Sequence, residues 1–559
     1  MENTQTINAV EITETEKKQF HCKYKRPFIE AAAYVGVFLV TALLFFLLKP
    51  HIEVLRKGAI AQAFIALSLG GCFAFVAYMG ITKRLSAGKI LFILLLVGLI
   101  LRIGYMLYTP AAARQHDTYS KNMDGHEAYA WTIFETGKLP TTNRYQFYHP
   151  PLNAMMQAFF MRLTSGFTNI LSSWFGLEEY FSSRFLYSKP AYIGEERYFL
   201  YQTCQILSVM YSFIAAVFMV KIINLFKFSK KVKLFLATFV ILYPRQIQFS
   251  AMLNNDGLAY MLGIIAMYCA LKWHKGNKHW GWIVCCALAV GFGMMTKLSS
   301  ATVCLPIAGI FIYEFICTLR KKEGSMKLWK MILQYGAFLL VCAPIGLWFQ
   351  VYAKIRFDQG FGFVFDNLNK KLYTGDHSWF SRFVVAFDLK EYLGTLYCKP
   401  FSGNYNLFNY ALKSSIFGEF SYWQGEGLAM SAVLFAYMSA LLLLISVVWC
   451  VVAYFRKRKK GINLLQKTGQ SFSDLLFIGL LVASQVLSEI YFYIKMPYAC
   501  TMDFRYIMPL ILGMALTLGV VAKVLTADGG KWAVALKRWT FVSTTAFIAA
   551  STLFYCVCI

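Results

Sequence analysis

The chain has 559 residues, of which 58% are hydrophobic and only 15% charged, and its mean hydropathy is +0.51. A soluble domain is about 45–50% apolar and about 25% charged, so a single soluble domain is excluded, as is disorder, which needs low hydrophobicity. The net charge of +27, from 55 Lys and Arg against 28 Asp and Glu, then marks either a nucleic-acid partner or the loops that orient a membrane protein.

Residues 1–27 are polar and end in a basic cluster, Lys23 to Arg26. No cleavable signal peptide is expected there, and the segment reads as a cytoplasmic tail. A spanning helix needs about 20 mainly apolar residues. Candidates follow at 28–48, 59–81, 90–109, 199–225, 232–250, 257–273, 280–296, 299–318, 330–350, 427–453, 472–494, 506–524 and 538–557. The predicted fold is an all-α polytopic membrane protein with about thirteen transmembrane helices. From a cytoplasmic N-terminus, the loops falling inside are Lys83-Arg84, Lys227 to Lys233, Lys272 to Lys278, Arg320 to Lys322, Arg456 to Lys460, and Lys531 with Lys537-Arg538. Every strongly basic loop lands on one side, so the positive-inside rule explains most of the charge and no nucleic-acid partner is expected.

Two long loops remain outside, 110–198 and 351–426. The apolar stretch Pro150 to Ser165 inside the first is too short to span and reads as a re-entrant or interfacial helix. The organisation is therefore a tail (1–27), two N-terminal spans (28–87), a core (88–350), the second outer loop (351–426) and C-terminal spans (427–559). No short internal repeat is evident. Most cysteines sit in apolar runs, where a thiol behaves as a small hydrophobe, and none has zinc-ligand spacing.

Ionisable groups in or beside spans cost roughly 2.5–3.5 kcal/mol at mid-helix on insertion scales and so default to functional candidates. Near the predicted outer ends stand Asp117, Asp124, His126, Glu127, His149, Asp256, Lys297, Glu489, Asp503 and Arg505. They come from distant parts of the chain yet share one depth. Carboxylates serve as general base or metal ligand, and Lys and Arg hold phosphate. Together they suit a lipid-phosphate substrate. Each also has a structural reading. Asp124 and Glu127 form a capping-box-like pair, Asp256 caps a helix, Lys297 snorkels, and Arg505 pairs with Asp503. Glu419 and Arg382 read as solvated or structural. The aromatic runs Tyr145 to Tyr148 and Phe417 to Trp423 fit interfacial belts or sugar-stacking platforms.

At these residues the chain resembles the polytopic GT-C glycosyltransferases of the family 39 type, which includes protein O-mannosyltransferases and the bacterial aminoarabinose transferase. The resemblance lies in Gln115-His116-Asp117, Asp124-Gly125-His126-Glu127-Ala128-Tyr129, Gly137-Lys138-Leu139-Pro140 and Tyr148-His149-Pro150-Pro151-Leu152, then in Asn255-Asp256 and Asp503-Phe504-Arg505-Tyr506. Two spans precede the family's first helix, and His149 stands where the aminoarabinose transferases have Lys.

The resemblance implies a GT-C-like core from 88 to 350. It implies transfer of a hexose or pentose from a polyprenyl-phosphate donor to a glycan, lipid or protein acceptor, with inversion, at the outer face of a bacterial plasma membrane. Asp117 is the expected general base, with Asp124 the alternative. Asp124 and Asp256 would orient the acceptor or, with Asp117, hold a divalent cation such as Mg or Mn. Substrate contacts are expected at His126, Tyr129, His149, Lys297, Arg505 and Tyr506. The competing class is a secondary transporter or lipid flippase with an outward-facing polar cavity, whose sites lie nearer the midplane on broken helices.

Overall fold

The structure, a computed structural model, describes residues 14–55, 58–111, 113, 115–177, 189–364, 370–384, 396–398, 401, 403–422, 425–462 and 464–557. Trp423, at the end of the second aromatic run, lies outside them, as do 178–188 and 385–395 in the two long loops.

The first helices are α1 (Glu14–Leu55), α2 (Gly58–Ile81), α3 (Ala87–Tyr108), α4 (His126–Thr136), α5 (Leu152–Phe175), α6 (Glu195–Thr203) and α7 (Gln205–Asn224). Next come α8 (Lys230–Leu242), α9 (Pro244–Phe249), α10 (Asn255–Lys275), α11 (Trp280–Thr296), α12 (Cys304–Leu319) and α13 (Leu328–Phe357). The chain closes with α14 (Trp379–Phe383), α15 (Leu407–Phe417), α16 (Glu426–Lys459), α17 (Leu464–Thr468), α18 (Phe472–Lys495), α19 (Leu510–Asp528) and α20 (Lys531–Val557). Among the described residues the only other pairing is an isolated bridge, Tyr373 to Tyr498.

The all-α polytopic fold is therefore as predicted, and 10 helices among the described residues are long and apolar enough to cross a membrane. Three further predicted spans are helical but fall short of that standard. Residues 232–250 split into α8 and α9, because Pro244 lacks an N–H and bars the residue before it from helical backbone; Tyr243 sits at φ −59° and ψ 125°. Helix α11 has 17 residues. Helix α10 carries Asp256 in its first turn and Lys272, His274 and Lys275 in its last.

The short apolar stretch after Pro150 runs further than predicted, as the 24-residue α5. It buries Asn153, Gln157, Met161, Thr164 and Thr168 at helical spacing and exposes Phe159, Leu163, Phe167 and Trp174 on the other side. A polar face turned inward and an apolar face turned outward fit a helix lying against lipid.

Two buried cations that donate to main-chain carbonyls brace the bundle. Arg102 on α3 donates to Ser212 Oγ at 2.9 Å, Gly98 O at 2.8 Å, Ile241 O at 3.1 Å and Gln246 Oε1 at 3.3 Å. It thereby satisfies a carbonyl left over at the α8–α9 break. Lys49 of α1 donates to Met106 O and Thr109 O, both at 2.7 Å, and so caps the C-terminus of α3. Because consecutive long helices run antiparallel, the C-terminal ends of α3, α11 and α18 and the N-terminal ends of α10 and α19 lie at one end of the bundle.

Candidate active site

Three chain segments build the site at that end. The first leaves α3 and returns as α4. Gln115 clamps it to the α9–α10 turn, accepting from Leu253 N at 2.7 Å and donating to Leu253 O at 3.3 Å. The first orphan amides of α4 are capped by main chain. His126 N donates to Asp117 O at 3.1 Å and Glu127 N to Thr118 O at 3.0 Å. The N-cap residue is Gly125, with no side-chain cap. A Cβ there would stand 2.6 Å from Thr118 O, so the close approach requires glycine. The capping-box reading of Asp124 and Glu127 is thus corrected. Glu127 instead accepts from Arg197 Nη2 at 2.7 Å, and Asp124 Oδ1 is buried without a partner.

This closed turn brings His126 Nε2 to 3.4 Å from Asp117 Oδ2. The His126 ring stacks on His149, with centroids 5.8 Å apart and planes at 12°. Tyr129 reaches back from α4 to donate to His149 O at 3.1 Å and so fixes the turn before Pro150.

The second segment joins α10 to the end of α11. Asn254, not Asp256, caps α10, accepting from Asp256 N at 3.1 Å. The Asp256 carboxylate accepts from Asn254 Nδ2 at 3.0 Å and forms an ion pair with Lys297. Lys297 is the C-cap of α11 and lies over the Tyr506 ring, 4.7 Å from its centroid. It points into the site and does not snorkel.

The third segment is 503–506. Asp503 takes both oxygens to Arg245 Nη2 at 2.7 Å, and neither side chain is more than 2% exposed. Asp503 Oδ1 also accepts from Arg505 N at 3.1 Å. The expected Arg505–Asp503 pair is present, with Nε 3.6 Å from Asp503 Oδ2. The guanidinium also reaches toward Asp117 Oδ2, 3.8 Å from Nη1, and donates to Tyr506 OH at 2.9 Å. Arg245 was not read as a site residue. Gly418, at φ +65°, makes room for it, since a Cβ would fall 2.1 Å from Arg245 Nη1.

Asp117, His126, His149, Asp256, Lys297, Arg505 and Tyr506 all line one cavity of about 730 Å³. Asp124 and Tyr129 do not line it and form the wall behind. Glu419 and Glu489 do line it. Glu419 accepts from Tyr410 OH at 2.8 Å and is 5% exposed, so it is not solvated. Arg382 is structural, buried with its guanidinium 4.6 Å from the Trp379 ring and 5.2 Å from that of Tyr493.

The electrostatics separate the groups. Burial raises the Asp117 pKa, but His126 and then Arg505 outweigh it and hold the carboxyl well below the usual range. Burial, with Lys297 and His126, pushes His149 well down, so it is neutral and offers a hydrogen bond in place of a charge. Burial and Asp503 push Glu419 up to about 8. The three aspartates do not gather as metal ligands. Asp117 faces Arg505 and His126, Asp256 faces Lys297, and Asp124 is off the cavity. Among the described residues no group of three His, Cys, Asp or Glu is placed to hold a metal ion.

Residues 192–348 match the family model described as dolichyl-phosphate-mannose-protein mannosyltransferase. Asp256 and Lys297 lie in that segment; Asp117, His126, His149 and Arg505 lie outside it. No curated protein matches significantly. Among solved structures, the crystal structure of ArnT from Cupriavidus metallidurans bound to undecaprenyl phosphate is similar, with 14% identity and a TM-score of 0.40 over 85% of this chain and 77% of that one. The resemblance to membrane mannosyltransferases is thus borne out by a family model that matches the central segment, 192–348, from α6 through most of α13.

Proposed function

We propose that this multi-pass membrane protein is a glycosyltransferase that moves a sugar from a polyprenyl-phosphate donor to an acceptor hydroxyl, with inversion, at the extracytoplasmic face. The observation that carries the reading is the cavity itself, where an ionised carboxylate, Asp117, stands beside two cations, Arg505 and Lys297. The description of the matched family names a polyprenyl-phosphate-linked sugar, which fits that combination. The basic runs at 227–233, 272–278, 320–322 and 456–460 sit at the opposite end of the bundle. That supports an extracytoplasmic cavity by the positive-inside rule.

In this reading the acceptor hydroxyl gives its proton to Asp117 as its oxygen bonds to the anomeric carbon. The bond from that carbon to the phosphate oxygen breaks on the opposite face, and the electron pair leaves with the phosphate. The leaving group needs positive charge more than a proton, which Arg505 and Lys297 supply in a poorly solvated site. His149 donates a hydrogen bond, and His126 orients the base. Arg505 links the two halves of the reaction. While it faces Asp117 the carboxylate is a weak base. When the donor phosphate takes up the guanidinium, Asp117 loses that partner and becomes more basic, toward the range a base needs. The test is turnover: purified chain given polyprenyl-phosphate sugars and a mixed acceptor pool releases polyprenyl phosphate, and no release from any donor defeats the reading.

A further inference from the structure

Among the carboxyl groups that line the cavity, one with no part in the reaction above also has an oxygen without a partner. Glu489 lies near the Lys495 end of α18, is 3% exposed and lines the cavity. Its Oε1 is buried with no hydrogen-bond partner. A carboxyl group in a spanning helix is costly, and a buried unsatisfied oxygen adds to the cost, so it calls for an explanation.

Counter-ion duty does not supply one. Lys297 pairs with Asp256, Arg505 faces Asp117, and Asp503 is held by Arg245. Glu489 forms no ion pair with either cavity cation. Asp503, Arg505 and Lys297 lie near enough to act on Glu489 electrostatically, yet none of them bonds it, and the cavity lining also offers the hydroxyls of Ser488, on the same helix, and of Thr302, which accepts from Gln485 Nε2 of α18 at 3.2 Å. What remains is a ligand, and the donor has three parts. Arg505 and Lys297 take the phosphate, and a carboxyl group is wasted on a lipid tail. The hydroxyls of a sugar ring are hydrogen-bond donors, which a carboxylate accepts strongly.

We infer that Glu489 accepts hydroxyl groups of the donor sugar beside the phosphate clamp, and so makes the cavity prefer sugar-bearing to bare polyprenyl phosphate. The inference rests on the donor class proposed above. It also gives product release a direction, because Glu489 loses its hydroxyl partners once the sugar has left.

The experiment measures binding of bare polyprenyl phosphate, and of polyprenyl phosphate carrying mannose, glucose or a pentose, to the full-length wild type, Glu489→Gln and Glu489→Ala. Wild type is expected to prefer at least one sugar-bearing lipid. Glu489→Gln should lose roughly tenfold or more of that preference, the size of one charged hydrogen bond, while holding the bare lipid as tightly or more so. A structural role moves both ligands alike, so parallel weakening overturns the inference, and so does a preference that survives in both variants. If wild type binds neither form, the donor reading itself falls, which the bare-lipid arm distinguishes.

Discussion

The two ends of the helix bundle both carry buried carboxylates, and they treat them differently. At the end away from the cavity, Glu314 bonds His274 and takes Lys278 at 2.6 Å, while His274 Nε2 meets Ser473 Oγ at 2.9 Å. Asp474 pairs with Lys275 and closes a capping box with Ser471. Asp528 accepts from Arg456 at 3.0 Å and Trp449 Nε1 at 3.2 Å. None of these three carboxylates leaves a buried oxygen unpaired. At the cavity end Asp503 and Asp256 are held as closely, by Arg245 and Lys297, but the pairings of Asp117 stretch to 3.4 and 3.8 Å, and Asp117 Oδ1, Asp124 Oδ1, Glu489 Oε1 and Arg505 Nε have no hydrogen bond. Saturated clusters are architecture, and unsaturated ones wait for a ligand.

Substitutions at the two ends should therefore separate activity from stability. The largest effect is expected from Asp117→Asn. Loss of a general base should cut turnover by about 10²–10⁴, with bare polyprenyl phosphate still bound and thermal stability little changed. Normal turnover would move the base to Asp124. Next, Arg505→Ala should weaken binding of bare polyprenyl phosphate by roughly 10–100-fold, as for a lost charged hydrogen bond, with Arg505→Lys recovering part of it.

Glu314→Gln sharpens the contrast from the other side. It should destabilise the fold by about 1–3 kcal/mol, read as a lower melting temperature in detergent, while turnover per folded molecule stays constant. A fall in turnover there would make the far cluster functional too. A further effect concerns pH. Burial lifts Glu419 from 4.5 to about 8, so the folded chain keeps a proton that the unfolded chain releases. Its contribution is fully present below the ordinary value of 4.5 and is lost as pH rises toward about 8. The melting temperature should fall over that window, and Glu419→Gln should flatten the slope.

Much of this was legible in the sequence, for physical reasons that vary by residue. Spanning helices announce themselves because lipid demands long apolar runs, and all thirteen runs are helical, though Pro244 cuts one that its apolar neighbours made look continuous. Asp117, His126, His149, Asp256, Lys297 and Arg505 could be gathered because ionisable groups at one membrane depth are rare, and Tyr506 came with the family resemblance. Arg245 could not, since its partner Asp503 lies 258 residues away and already had Arg505 beside it. Glu419 looked like an ordinary loop acid. Only folding shows that Tyr410 and Arg505 enclose it. Asp124 and Tyr129 belong to the local motif but face away from the cavity, Asp124 lending its carbonyl to Gln146 N at 3.1 Å.

The two main-chain hydrogen bonds that tie Asp117 and Thr118 to the start of α4 turn that segment into a ring of fixed circumference. A ring has no slack. One residue added between Thr118 and Asp124 would carry the imidazole of His126 past its carboxylate, whatever the residue was. The exposed stretch at Thr141 and Thr142 carries no such closure. A spectroscopic label or an epitope meant to watch this region at work therefore belongs at Thr141–Thr142, past the end of α4 and outside the ring's count.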